Sequence, residues 1–256
     1  MKLFDSHCHL QLPQFDSDRT EVLARMQKQE VGGVVVGTDL ETSTAAVALA
    51  QMHDFLWASI GLHPNDNVKE VFDEASFVAL AQNKKVVAIG ECGLDYFRSG
   101  GTDDEKLAQK ERFEKQIQLA IQTNKALIVH CRNAHDDMLE IVGKYASQLQ
   151  NKIIIHFFTG TVQLAQKYID LGCFLSFPGP ITYTDMYDES IKITPLDKIL
   201  SETDSPFAAP IPFRGKRNEP MYVEEVVKKI AGLKGVSLEK MSNQILLNSQ
   251  RIFGLQ

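Results

Sequence analysis

The 256-residue sequence predicts a (β/α)8 barrel, a TIM barrel with closing C-terminal helices. Three observations carry that expectation. Short apolar runs rich in β-branched residues alternate with longer amphipathic segments. There are eight such runs, and metal-binding residue types gather where they end. Strands separated by helices pair in parallel through right-handed crossovers, and at this length a closed barrel is the favoured arrangement. A doubly wound open sheet is the structural alternative. No low-complexity linker, internal repeat or composition shift divides the chain, so residues 1–256 are expected to form one domain.

The strands are expected, in order, at KLFDSHC, GGVVVGT, FLWASIG, KVVAIGE, ALIVHC, KIIIHF, CFLSF and KILSET. Between the first two, DRTEVLARMQKQE places Val22, Leu23 and Met26 on one helical stripe with charges opposite. EKLAQKERFEKQIQLAIQT stripes Leu107, Phe113, Ile117 and Ile121. TVQLAQKYIDLG ends on Gly172, a C-cap signal. The seventh connection, PGPITYTDMYDESIKITP, is irregular and carries the weakest helical pattern. PMYVEEVVKKIAGL and SLEKMSNQILLNSQRIF close the chain as helices. Pro220 suits the first turn of the former, with Asn218 or Glu219 as its cap.

Hydrophobic residues make up 44% and charged residues 23%, the profile of a globular enzyme with a sizeable core. A net charge of −6 argues against a protein that coats nucleic acid or membrane, but not against one that admits a nucleic-acid end into a metal-lined pocket. Four scattered cysteines form neither a disulfide framework nor a zinc finger. The N-terminus is too polar for a signal peptide and no run reaches membrane-spanning length. A cytoplasmic protein with no membrane association and no obligate protein partner is expected.

The strand ends carry the chemistry. They present His7 and His9, then Thr38 and Asp39, His63, Glu91, His130, His156, Ser176, and finally Glu202 and Asp204. A barrel brings all these ends to one face. Residues i and i+2 of a strand share a side, so His7 and His9 face one centre and Cys8 faces away. Cys92 and Cys131, each directly after a proposed ligand, are read likewise as packing residues. His7, His9, His130, His156, Glu91 and Asp204 exceed the three protein ligands usual for one open metal. They suit two divalent ions bridged by Glu91, with His7, His9 and Asp204 on one and His130 and His156 on the other. The nitrogen–oxygen donor set fits zinc, manganese or iron by softness, and magnesium if waters complete its shell.

His63, in GLHP, is assigned to substrate or phosphate. Glu202 either orients or deprotonates the attacking water or hydrogen-bonds a liganding histidine. Glu91, Glu202 and Asp204 are thus the catalytic carboxylates. PFRGKRNEP clusters Arg214, Lys216 and Arg217 beyond the last strand, a phosphate-gripping loop or a solvated turn. Arg98, Arg132 and Asn133 also follow strand ends. Arg132 lies two residues after a ligand and shares its side.

The segments FDSHCHL, IGLHP, IGECGLDYFR, IVHCRNAHDD, IIHFFTG, SETDSPFAAP and PFRGKRNEP, in this order, resemble the TatD family of metal-dependent deoxyribonucleases, within the amidohydrolase-like barrels. The resemblance covers essentially the whole chain. It implies a (β/α)8 barrel, divalent metals, and hydrolysis of DNA, chiefly single strands from a 3′ end. It also implies metal binding at His7, His9, Glu91, His130, His156 and Asp204, with His63 and Glu202 near the reacting phosphate. Pro178 and Phe157 depart from residues common in relatives, and neither is a proposed ligand. A hydrolase of an amide, lactone or aminoacyl ester at the same two-metal centre is the alternative. Glu91 stands where carbamate-bridged barrels use a lysine, which argues against that type.

Overall fold

The computed structural model describes residues 1–65, 71–98 and 102–255. Eight parallel strands run in sequential order around a nearly closed barrel. They are β1 (Leu3–Cys8), β2 (Val31–Val36), β3 (Leu56–Ile60), β4 (Val86–Asp95), β5 (Ala126–Arg132), β6 (Ile153–Ile155), β7 (Phe174–Phe177) and β8 (Ile199–Ser201). Between them lie α1 (Arg19–Lys28), α2 (Leu40–Gln51), α3 (Glu74–Ala81), α4 (Asp103–Thr123), α5 (His135–Tyr145), α6 (Val162–Asp170) and α7 (Asp188–Ile193). Helices α8 (Val223–Lys234) and α9 (Leu238–Phe253) follow β8.

Two apolar layers hold these elements. Outward-facing Val35, Ile89, Val129, Leu175 and Ile199 pack against helix residues such as Met26, Phe113 and Val226. Inward-facing Phe4, Val34, Ile128, Ile154, Phe174 and Leu200 fill the barrel. Ile252 and Phe253 of α9 join this inner layer, with the Phe253 ring 6.0 Å from that of Phe4. The C-terminal helix therefore caps the barrel at the strand N-termini and leaves the opposite mouth for chemistry.

Local signals explain most helix boundaries. Asp39 Oδ1 accepts from the Thr42 amide and the Thr42 hydroxyl accepts from the Asp39 amide, a reciprocal cap on α2. Asp39 thus starts a helix rather than facing the barrel mouth. Asn124 ends α4 in the left-handed region at φ 54°, and Gly172 follows α6 at φ 82°. Phe113 and Ile117 of α4 are buried as their spacing predicts, but Leu107, in the first turns of the helix, is 55% exposed. Pro220 opens a 3-10 turn, Pro220–Tyr222, ahead of α8. Asn218 and Glu219 provide no side-chain cap there. The irregular seventh connection holds only the six-residue α7 and short 3-10 turns.

The seam between β8 and β1 is made mainly by residues after β8. The Asp204 amide donates to the His7 carbonyl, the His9 amide donates to the Ser205 carbonyl, and Cys8 bridges Ser205 in parallel. Asp5, fully buried, reinforces it: its Oδ1 accepts from the Thr203 amide at 2.9 Å and its Oδ2 from the Thr203 hydroxyl at 2.5 Å.

Candidate metal centre

The first two histidines owe their position to a register shift. In β1, Leu3 and Cys8 both face the helices, although five positions apart on a regular strand would put them on opposite faces. The pairing with β2 slips between Asp5 and Cys8, so the extra residue resets the alternation. Ser6 faces the barrel interior, where its hydroxyl meets that of Ser176 at 2.8 Å, and His7 and His9 both turn to the mouth. Their Nε2 atoms lie 3.2 Å apart, and His9 Nδ1 is fixed 2.7 Å from the Val36 carbonyl. Asp204 Oδ1 lies 3.2 Å from His9 Nε2 and 3.7 Å from His7 Nε2.

A second slip aims Glu91. The β4–β5 register shifts between Ile89 and Cys92, and Gly90 adopts φ +134°. A Cβ at Gly90 would sit 2.4 Å from the Ile128 carbonyl oxygen, so only glycine fits. The Glu91 carboxylate then reaches the centre of the mouth. Its Oε1 is 2.7 Å from His130 Nδ1, 3.0 Å from His156 Nε2 and 3.5 Å from His63 Nε2. Its Oε2 is 3.3 Å from His7 Nε2 and 3.9 Å from His9 Nε2. Each oxygen serves a different group of imidazoles.

Two carboxylates stand behind the histidines. Glu202, wholly buried, accepts from the Phe157 amide at 2.7 Å through Oε1, which also lies 3.3 Å from His156 Nδ1. Asp95 Oδ2 lies 3.4 Å from His130 Nε2, while its Oδ1 accepts from the Phe97 and Arg98 amides. In turn Gln109 of α4 accepts from the Asp95 amide and donates to the Asp95 carbonyl. Gln116 clasps Leu62 in the same way, beside His63.

The electrostatics ask for positive charge. Burial pushes the Glu91 carboxyl up, but His156, His63 and the hydrogen bonds from His130 and His156 outweigh it and hold it well below the usual carboxylate range. Burial opposes charge on the histidines too, yet His9 is raised by Asp204, His130 by Asp95 and Glu91, and His156 well above its usual value by Glu91 and Glu202. His7 goes the other way, lowered by burial and by His156. Asp95, despite burial, is held at about 2 by His130 and its two backbone amides.

These residues fit divalent cations. Ligand atoms of His7, His9 and Asp204, of His63, Glu91 and His130, and of His7, His156 and Glu202 form groups within 4.8 Å of one another. His7 Nδ1 and Glu202 Oε2 are buried without a hydrogen-bond partner, a costly state that a cation or water among these donors relieves. Imidazole and carboxylate together suit zinc, manganese or iron.

The basic residues divide. Arg217 does not face the mouth: its guanidinium binds Asp18 through two bonds of 2.7 and 2.6 Å, bonds Glu219 at 3.2 Å, and covers the Phe15 ring. Asp18 and Glu219, which also pair with Arg25, tie Arg217 and its loop to α1, so Arg217 is not a substrate contact. Arg214 and Lys216 are exposed, with Arg214 over the Tyr183 ring. Arg132 is exposed and lies over the Phe97 ring at 3.9 Å. Glu202 lies behind His156, which fits the histidine-bonding alternative rather than contact with the attacking water. His63, assigned to substrate, stands within the imidazole cluster, its ring 4.5 Å from that of His130. Asp5 and Asp95 were not singled out from sequence; their signal is a carboxylate two residues before one ligand and four after another.

Buried imidazoles shared by one central carboxylate at the open end of a parallel barrel define a metal-dependent hydrolase. A family model described as TatD related DNase matches residues 4–254. The chain belongs to the TatD family. It is 39% identical to the uncharacterized metal-dependent hydrolase YabD of Bacillus subtilis, over 98% of both chains. It is 32% identical to the 3′-5′ ssDNA/RNA exonuclease TatD of Citrobacter rodentium, over 99% of this chain and 98% of that one. Among solved structures, the TatD homologue YJJV of Escherichia coli superposes with a TM-score of 0.90 at 28% identity, covering 100% of this chain and 99% of that one. Among the described residues, no helix is long and apolar enough to cross a membrane.

Proposed function

We propose that this protein hydrolyses phosphodiester bonds at the 3′ end of single-stranded nucleic acid, DNA foremost, with two divalent cations shared across Glu91. The observation that carries the reading is the division of Glu91: Oε1 faces His63, His130 and His156, and Oε2 faces His7 and His9. The relatives named as single-strand exonucleases support the choice of substrate.

In this reading His7, His9 and Asp204 would hold one cation and His130 and His156 the other, and His63 stands beside His130. When bound, the pair supplies Lewis-acid charge for the attacking and leaving oxygens of an in-line displacement. The chain's own residues do the rest. Asp204, its side chain 17% exposed, is the most open of these carboxylates and takes the proton of the attacking water. Glu202 and Asp95 keep His156 and His130 in orientation. Arg132, Arg214 and Lys216 line the approach and meet the phosphate backbone. The water oxygen bonds to phosphorus, the bridging P–O bond breaks, and its electron pair leaves with the strand oxygen.

A substrate panel tests this. Metal-loaded protein is incubated with 3′- and 5′-labelled single strands of DNA and RNA, and with isoaspartyl dipeptides, lactones and aminoacyl esters. The reading expects shortening from the 3′ end and intact amides, lactones and esters. Turnover confined to the latter group would replace it.

A further inference from the structure

Of the phenylalanines in the described residues, only Phe97 and Phe207 are exposed, at 59% and 48%. Both follow C-terminal strand ends of the barrel, Phe97 after β4 and Phe207 after β8. Phe207 follows Asp204 by three residues, and its ring meets that of His9 edge-on at 6.2 Å. Phe97 follows β4, and its ring is covered on one face by the guanidinium of Arg132, two residues beyond His130. One aromatic therefore borders the His9–Asp204 side, and a cation–aromatic pair borders the His130 side.

Neither ring sits on a loose segment. Asn218, fully buried, donates from Nδ2 to the carbonyls of Thr203 and Phe207 and holds the turn that carries Phe207. Asp95 accepts from the Phe97 amide, and Gln109 fixes Asp95 in turn. Each ring has one contact within the fold, Arg132 over Phe97 and His9 edge-on to Phe207, and is otherwise left to solvent on an anchored backbone. A flat π-face beside a guanidinium suits a nucleobase, which stacks without regard to sequence.

We infer that Phe207 and the Phe97–Arg132 pair stack the two bases that flank the scissile phosphodiester. This rests on the phosphodiesterase reading and adds a substrate requirement: a planar base on each side of the cut. The occupant is nucleic acid because the ledge at Phe97 is cationic as well as aromatic, which matches a base joined to a phosphate. A purely apolar partner would leave the Arg132 charge unmatched.

The test compares a single strand with strands in which the base on either side of the cut is replaced by an abasic tetrahydrofuran. In the wild-type protein each replacement is expected to raise KM about tenfold, in keeping with base–aromatic stacking. Phe207→Ala is expected to abolish the penalty on one side only, Phe97→Ala on the other, and Phe207→Trp and Phe97→Trp to restore it. Binding gives an independent readout. A cleavage-resistant phosphorothioate strand carrying 2-aminopurine at either position should lose fluorescence on the wild-type protein and keep it on the matching alanine variant. Equal KM for intact and abasic strands, or quenching that persists in both alanine variants, would overturn the inference and leave the phosphodiesterase reading standing. If no strand, intact or abasic, is cut with any metal, the phosphodiesterase reading falls and this inference falls with it.

Discussion

Glu91 Oε1 lies 2.7 Å from His130 Nδ1, while the other oxygen of the same carboxylate turns to His7 at 3.3 Å. One side chain thus joins ligand candidates from β1 to those from β5 and β6. It can do so because Gly90 and the slipped register of β4 push it out of the regular pleat.

The first prediction concerns that bridge. Glu91→Gln keeps the size of the side chain but removes its charge. Bound metal should fall from two equivalents to one or fewer, and turnover should drop at least about a hundredfold. Elemental analysis of protein purified without chelators, alongside activity, checks both. Two tightly held equivalents in the variant would show that Glu91 is not shared.

Glu202 should behave differently. Glu202→Gln retains an oxygen for the Phe157 amide but loses the carboxylate facing His156. Metal affinity is expected to weaken roughly 10- to 100-fold with the fold intact. Competition with a chromophoric chelator measures it. An unchanged affinity combined with a collapse of kcat would return Glu202 to the role of water base.

Asp95 joins stability to the site. Asp95→Ala leaves the part-buried amides of Phe97 and Arg98 without their acceptor and should cost about 1–2 kcal/mol. Asp95→Asn keeps the acceptor and should recover most of that stability, yet still lower metal affinity through His130. Urea unfolding and metal titration separate the two effects. Equal stability in both variants would contradict the division.

Metal binding should depend on pH in a defined direction. Without metal, His9, His130 and His156 hold protons to higher pH than free imidazole does, because Asp204, Asp95, Glu91 and Glu202 face them. A cation must displace those protons, so apparent affinity should rise with pH through and above the ordinary imidazole range, with proton release on binding. Calorimetry in buffers of different ionisation enthalpy reads the released protons. Chelation should also lower the melting temperature, since ligand bound only to the folded state stabilises it. Affinity that is flat with pH would refute this account of the cluster.

The barrel and the convergence of its strand ends were legible in periodicity. The β-branched runs fall on the eight observed strands, and His7, His9, Glu91, His130, His156 and Asp204 do meet. What periodicity could not convey is irregularity. Strict alternation would place His7 with Leu3, facing the helices; the slip after Asp5 turns it to the mouth. Pairing across long separations was equally hidden. Asp5 meets Thr203, Gln109 and Gln116 of α4 clasp the ends of β4 and β3, and Arg217 binds Asp18. Each depends on which segments the closed barrel brings together, and a local charge cluster such as RGKR carries no record of its partners.

The proposed phosphodiester cleavage runs through the Glu91-linked imidazole cluster. Its most direct test is release of label from a 3′-labelled single strand with Mg2+, Mn2+ or Zn2+, by the wild-type protein and by the Glu91→Ala, His130→Ala double variant. Steady release by the wild type and none above background by the variant is the expected result. No release by the wild type with any of the three metals, or equal release by the variant, would contradict it.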